Sequence, residues 1–164
     1  MKDISQNIDN IDIIKIDSKL LLEQFEEFMI LKNYNSLIHF PNKDVNEFNQ
    51  KKMTELIDYL NEEKAIVYGA YDKSKLVGFI WGYPRIFFDE KRIFINCLVV
   101  NKEYEKQGIG KKLINRLEDF AKENKYDSID LTVAPFNENA VGFYNHMGFE
   151  SERIQMVKKL GGKQ

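Results

Sequence analysis

One junction constrains this 164-residue chain more than any other: the passage from Val99-Val100 to Gly108-Ile109-Gly110-Lys111. The run Arg92-Ile-Phe-Ile-Asn-Cys-Leu-Val-Val100 has the β-branched and aromatic composition of a strand. A polar stretch, residues 101–107, follows it. From Gly108 onward the period becomes helical, with Ile109, Leu113, Ile114, Leu117, Phe120 and Ala121 on one face and lysines and acids on the other. Glycines let a backbone curl and expose successive N–H groups, and a helix N-terminus adds unsatisfied donors and about half a positive charge. Lys106, Lys111 and Lys112 bring further charge to the same place. A strand, a two-glycine turn and a lysine-rich helix have the chemistry of a phosphate cradle. Two phosphate motifs are nevertheless excluded. A dinucleotide fingerprint needs a third glycine where Leu113 stands, and a Walker A loop needs Ser or Thr where Lys112 stands. On this turn alone, a glycine-containing helix start that binds nothing remains equally open.

The rest of the chain supplies elements that pack around that junction. Ile11, Ile13, Ile14 and Ile16 predict a first strand, and Asp17-Ser18 an N-cap for a helix carrying Leu20, Leu21, Leu22, Phe25, Phe28 and Met29. A second helix is expected from near Asp44, with Val45, Phe48, Met53, Leu56, Ile57 and Leu60, after a loop over residues 33–42 that contains His39 and Pro41. Residues 65–71 and 76–81, joined by the turn Asp72-Lys73-Ser74, predict a hairpin. Residues 128–133 alternate as a half-buried strand. A short helix over residues 137–147 ends at Gly148, and Phe149 onward returns to extended structure. The order of elements predicts a mixed α/β, or α+β, layer of helices on a sheet. No linker, repeat or low-complexity tract interrupts it, so residues 1–164 read as a single domain.

Composition narrows the functional classes. Lys and Arg total 24 against 26 Asp and Glu, which gives no support to a nucleic-acid binder. The single Cys97 excludes a disulfide framework and a multi-cysteine zinc site, and no metal site is expected. No apolar run approaches the ~20 residues that span a bilayer, and the acidic N-terminus does not read as a signal peptide; the chain reads as cytoplasmic, without a membrane partner. The charge is divided, however. Residues 1–64 carry −5 and residues 65–164 carry +3. Five bases against two acids in residues 102–116 surround the cradle. This division is either chance or a sign that the second part handles an anion and the first a cation.

The residues around the cradle carry a resemblance. Leu98-Val-Val-Asn-Lys-Glu-Tyr-Glu-Lys-Gln-Gly-Ile-Gly-Lys-Lys-Leu113 resembles the acyl-CoA motif of the GNAT superfamily of N-acetyltransferases, in which a strand leads to Q/R-x-x-G-x-G/A. Asn137-Glu-Asn-Ala140-Val-Gly-Phe-Tyr144-Asn-His-Met-Gly148-Phe149 is similar to the family's second signature, N-x-x-A-x-x-x-Y-x-x-x-G-F. The resemblance is strong over residues 78–149. It implies a mostly antiparallel twisted sheet of about six or seven strands, flanked by about four helices, with a splayed and bulged central strand. It also implies acetyl-CoA as cofactor. Backbone groups of Leu98, Val99 and Val100 would bind the pantetheine arm. Amides of Lys106, Gln107, Gly108, Ile109, Gly110 and Lys111 would hold the pyrophosphate. The Asn137 side chain would bond the pantetheine region, and Tyr144 would protonate the departing thiolate. The sequence departs from the family at Glu105, a carboxylate where the first Q/R position falls.

The resemblance implies an enzyme that transfers acetyl directly, in a ternary complex, to a primary amine of a small molecule or protein. The alternative is a non-catalytic acyl-CoA-binding or sensing module, suggested by Glu105 and by the absence of a carboxylate on the central strand. Asn96 cannot accept a proton at neutral pH, and Cys97 reads as a core thiol. His39 would border the acceptor site, although a surface or capping role is the commoner fate of such a residue. His146 reads as solvent-facing, which leaves a water chain as the expected base. Glu26, Glu27, Asp89 and Glu90 are candidates for a cationic substrate. The aromatic stretch Trp81-Gly-Tyr-Pro-Arg-Ile-Phe-Phe88 reads as an acceptor-site lining, hairpin core or a homodimer contact.

Overall fold

A computed structural model describes residues 8–162. Residues 1–7, part of the N-terminal stretch read above as no signal peptide, lie outside the described residues. The chain forms two compact units, Met1–Thr132 and Val133–Gln164.

The first unit is a sheet with helices on both faces. Strand β1 (Ile11–Lys15) is followed by α1 (Ser18–Glu23), α2 (Phe25–His39) and α3 (Asn46–Asn61). Then come β2 (Ile66–Asp72), β3 (Lys75–Phe87), β4 (Glu90–Val100), α4 (Ile109–Glu123) and β5 (Ser128–Asp130). The strands lie side by side in chain order. The first four pair antiparallel, and β4 pairs β5 in parallel. That mostly antiparallel order agrees with the expected architecture. Five strands are found among the described residues rather than six or seven, because no strand is assigned after residue 148.

Sequence chemistry accounts for the helix boundaries. The Asp17 carboxylate caps α1 by accepting from the Leu20 N–H at 2.8 Å. The single helix expected over residues 20–29 is interrupted at Gln24, whose φ of −112° and ψ of 26° close α1 and open α2. The Gln24 side chain accepts from the Tyr71 hydroxyl at 2.5 Å, satisfying a phenol that burial and Glu27 push up to about 12.

The loop expected over residues 33–42 is a correction: α2 continues through His39. Asn33, Asn35 and Ser36 resemble helix breakers in sequence. In the fold, α3 supplies partners for two of them. Asn49, fully buried, donates to Asn33 Oδ1 at 2.9 Å and to Ser36 Oγ at 3.0 Å. Pro41 disfavours helix at the residue before it, and Phe40 has left the helix at φ −135°, ψ 66°.

Helix α4 shows the expected stripe. Ile109, Leu113, Ile114, Leu117 and Ala121 are buried against the sheet, each large side chain contributing about 1.5–3 kcal/mol by burial. On the opposite face, Phe28 of α2 meets Phe79 of β3 with ring centroids 5.1 Å apart. Leu21, Met53, Leu56, Trp81, Cys97 and Val99 complete that core.

The second unit contains α5 (Glu138–His146). Asn137 caps it by accepting from the Ala140 N–H at 3.3 Å, and Gly148, at φ 90°, follows its end.

Candidate active site

Strand β4 changes character halfway along. Its cross-strand partners on β3 are Gly82 for Ile95 and Trp81 for Cys97, which leaves Asn96 as an extra, bulged residue. A bulge reverses which face alternate side chains meet. Ile93, before it, lies near the Cβ direction of Gly82 together with Leu117 of α4. Cys97 and Val99, after it, join the core beneath α1, α2 and α3. Asn96 itself is exposed. Pairing with β5 covers only Arg92–Phe94, so residues 95–100 of β4 have no second strand partner among the described residues. Leu98, Val99 and Val100 therefore lie on an open strand edge, the splayed and bulged strand that the resemblance implies.

The strand then enters the turn. The Asn101 N–H donates to the Val77 carbonyl at 2.7 Å, and the Asn101 side chain accepts from the Glu103 N–H at 2.9 Å, starting a short 3₁₀ turn (Lys102–Tyr104). Buried Tyr104 pins that turn by donating to Asp72 Oδ2 at 2.8 Å. Lys106 and Gly108 both take left-handed backbone, at φ 62° and 81°. Gly108 adopts this freely, and Lys106 does so at a cost. Together they curl the chain into α4. The first helical bond is Lys112 N–H to Gly108 C=O, at 3.1 Å. Consequently the amides of Lys106, Gln107, Gly108, Ile109, Gly110 and Lys111 have no acceptor among the described residues. Six successive free donors at a helix start fit a pyrophosphate, and the cradle needs no side chain to make it.

Glu105 does not stand alone beside those donors. Its Oε1 accepts from the Tyr34 hydroxyl of α2 at 2.6 Å. That bond, with burial and the carboxylate charge behind it, pushes the Tyr34 phenol up to about 12.

The remaining candidates fall as follows. Burial pushes the Cys97 thiol up to about 11, with Lys32 opposing, so the thiol is protonated and a poor nucleophile at neutral pH. His39 ends α2 with its ring 6.5 Å from that of Phe40. Burial and then the charge of Lys32 lower its pKa, keeping the imidazole neutral and able to accept a proton. Glu26, Glu27 and Asp89 are exposed. Glu90 is paired with Arg92 at 2.6 Å, and Arg92 also reaches Asp130, the partner of Arg85.

The aromatic stretch divides. Trp81 is core, whereas Tyr83 stacks with Phe94 at 5.3 Å and the Arg85 guanidinium lies 4.6 Å from the Phe94 ring. Phe88 is exposed. In the second unit, Asn137 caps α5, and the Tyr144 ring meets Phe143 at 5.3 Å and Phe149 at 5.5 Å, both edge-on. His146 is exposed.

Sequence reasoning passed over Tyr34, Lys32 and Asn35. Continuing the helical period through residues 33–39 would have aligned Phe28, Lys32, Asn35, Ser36 and His39 along one side of α2. The breaker-like asparagines concealed that signal.

Comparison with known proteins gives a consistent picture. The family model described as "Acetyltransferase (GNAT) family" matches residues 21–149. N-acetyltransferase 8 of Homo sapiens is 30% identical over 94 residues, covering 56% of this chain and 41% of that protein. The chain spans less than half the length of the first curated relatives it matches. Among solved structures, an aminoglycoside acetyltransferase from an uncultured soil metagenomic sample, in complex with sisomicin, superposes with a TM-score of 0.73 at 20% identity. That match covers 93% of this chain and 98% of the other. AAC(6')-Iy, in complex with a CoA bisubstrate analog, gives 0.68 at 16% identity, covering 92% and 99% of the two chains. At these identities the superpositions show a shared fold.

Proposed function

This chain belongs to the GNAT acetyltransferase family, and from that membership we propose that residues 1–164 act as one acetyl-CoA-dependent N-acetyltransferase domain, passing acetyl directly to a primary amine. The observation that carries this reading is the row of six free amides, Lys106 to Lys111, following the open edge of β4. The solved relative that holds a CoA bisubstrate analog supports CoA as the ligand of that row.

Bound acetyl-CoA supplies the acetyl group as a thioester. The chain's own part is to bind and orient it and to move protons. Amides Lys106 to Lys111 would hold the pyrophosphate without waiting for a side chain to order, and Leu98, Val99 and Val100 would pair the pantetheine arm as an added strand. Asn137 would add a side-chain bond to that arm, and Tyr144 would donate its phenolic proton to the departing thiolate. A cationic amine must lose one proton before it attacks and a second as the amide forms; both would leave through water or His39, and water would return a proton to the Tyr144 phenolate. The pairing of Glu105 with Tyr34 weakens the case for a non-catalytic sensing module, since that carboxylate already has a partner.

The acceptor is a cationic amine of a small molecule or protein, and the setting is cytoplasmic. No helix among the described residues is long and apolar enough to cross a membrane. The test is release of CoA thiol from acetyl-CoA with a panel of amines, read with product mass. Acetylated product is expected. Tight CoA binding with no turnover on any amine would overturn the enzymatic reading in favour of the binding module.

A further inference from the structure

Within residues 101–107 the turn that carries the amide row bonds to itself. The Tyr104 N–H donates to the Asn101 carbonyl at 2.8 Å, and the Gln107 side-chain amide to the Glu103 carbonyl at 3.4 Å. Lys102, Glu103, Glu105 and Lys106 are exposed, and Tyr104 is the single buried residue between Val99 and Ile109. A segment with so little buried surface samples other shapes unless something outside holds it. The shape it must keep is an uncommon one. Lys106 is left-handed without being glycine, and such a residue persists only where its surroundings over-determine it.

The end of the β2–β3 hairpin does the holding. Asp72 closes β2 and Lys75 opens β3, opposite each other in the register. The Tyr104 hydroxyl donates to Asp72 Oδ2 at 2.8 Å, and the Lys75 ammonium lies 5.3 Å from the centre of the Tyr104 ring. The phenol is thus held at its polar end by a carboxylate and over its face by a cation, both from one hairpin end. Asp72 is itself fixed, because it also pairs with Ile11 of β1. The bond to Asp72, and then burial, raise the phenol pKa, so the donor keeps its proton through neutral pH. The Tyr34 bond to Glu105 is exposed, whereas the Tyr104 bond is part-buried, where a hydrogen bond is stronger.

We infer that Tyr104, acting through Asp72, is a positioning residue for the cofactor, holding the amides of Lys106 to Lys111 in place before a pyrophosphate arrives. The inference rests on the acetyl-CoA reading and deepens it. Tyr104 needs no contact with the cofactor in this role. With the anchor gone, cofactor binding must also order the turn, and that lost entropy is subtracted from affinity.

The experiment is a calorimetric titration with CoA of the full chain, Tyr104→Phe, Asp72→Ala, Asp72→Asn and the Tyr104→Phe/Asp72→Ala double variant, with a thermal melt of each. Asn49→Ala, which removes buried hydrogen bonds between α2 and α3, controls for general loosening. Tyr104→Phe and Asp72→Ala should each weaken CoA binding by about tenfold. The double variant should lose no more than either alone, since the two residues share one bond. Asp72→Asn keeps an acceptor for the phenol and should bind within about threefold of the parent. In turnover, KM for acetyl-CoA should rise with kcat held. Parent-like CoA binding by a folded Tyr104→Phe would overturn the inference. So would losses that multiply in the double variant, an equal loss in Asn49→Ala, or a fall in kcat at unchanged KM. If Tyr104→Phe does not fold, Asp72→Ala against Asp72→Asn carries the test, and equal affinities of those two would overturn it. A parent chain that binds no CoA is a different result, which overturns the acetyl-CoA reading itself.

Discussion

The Tyr34 hydroxyl donates a 2.6 Å hydrogen bond to Glu105 Oε1, tying the helix that packs on β4 to the turn that opens α4. The two residues are far apart in the sequence, and the bond they share gives the Glu105 carboxylate a partner beside the turn.

Tyr34→Phe should therefore loosen the turn more than it destabilises the fold. A single exposed bond of this kind is worth about 1 kcal/mol in stability. The expected kinetic signature is a rise of a few fold, about threefold to tenfold, in KM for acetyl-CoA with kcat held. Steady-state kinetics against a calorimetric melt would check it. The pH dependence has a definite sign. The folded pKa of Tyr34 lies near 12, above its ordinary 10.0, so the folded state holds the proton more tightly than the unfolded state. The contribution is complete below pH 10 and is lost as pH rises from there through about 12. Alkaline unfolding of Tyr34→Phe should lack this component.

Tyr144→Phe should leave CoA binding intact and lower kcat by about a hundredfold, the lower end of what a positioned general acid supplies. Calorimetric CoA binding beside steady-state turnover reads both halves. Turnover equal to the parent would remove Tyr144 from the chemistry.

Cys97 should be silent toward thiol reagents. Its pKa of about 11 leaves little thiolate at neutral pH, and its side chain is buried. Iodoacetamide should label it only after unfolding, and intact-protein mass after incubation with acetyl-CoA should show no acetyl adduct on Cys97. An adduct that forms and then passes to amine would contradict direct transfer.

Gly78→Ala tests the edge of β4 from the other side. A Cβ at Gly78 would stand 2.8 Å from the Val99 carbonyl oxygen, a backbone atom that can move only with its strand. The cost should be about 1–3 kcal/mol, seen as a lower melting temperature. Because Val99 and Val100 must shift, KM for acetyl-CoA should rise by about tenfold or more. A variant with parent-like KM would separate the strand edge from cofactor binding.

Local chemistry made part of this legible in the sequence. Helix α4 could be read because the Ile109, Leu113, Ile114, Leu117 stripe has a single period and Gly108 marks its start. Asp17 and Asn137 cap their helices as their residue type predicts. What could not be read depends on distant partners. Asn33 and Ser36 look like helix breakers until Asn49 of another helix satisfies them. The bulge at Asn96 follows from the register of β3 on β4, and nothing in the local sequence around Asn96 announces it. Tyr34 with Glu105 is a contact between segments that no pattern joins. In the candidate site, the unpaired amides at the start of α4 were legible from the two glycines of the turn.

The open half of β4 has a consequence beyond binding. Residues 95–100 present backbone donors and acceptors along a strand edge with no second strand beside it among the described residues. Sheets usually shield such an edge with a charge, a proline or an extra bulge, because any extended peptide can dock there and begin aggregation. Here Leu98, Val99 and Val100 are uncharged and extended. Whatever occupies that edge acts as a chaperone for it. If acetyl-CoA pairs along that edge as proposed, its presence should also slow aggregation of the chain.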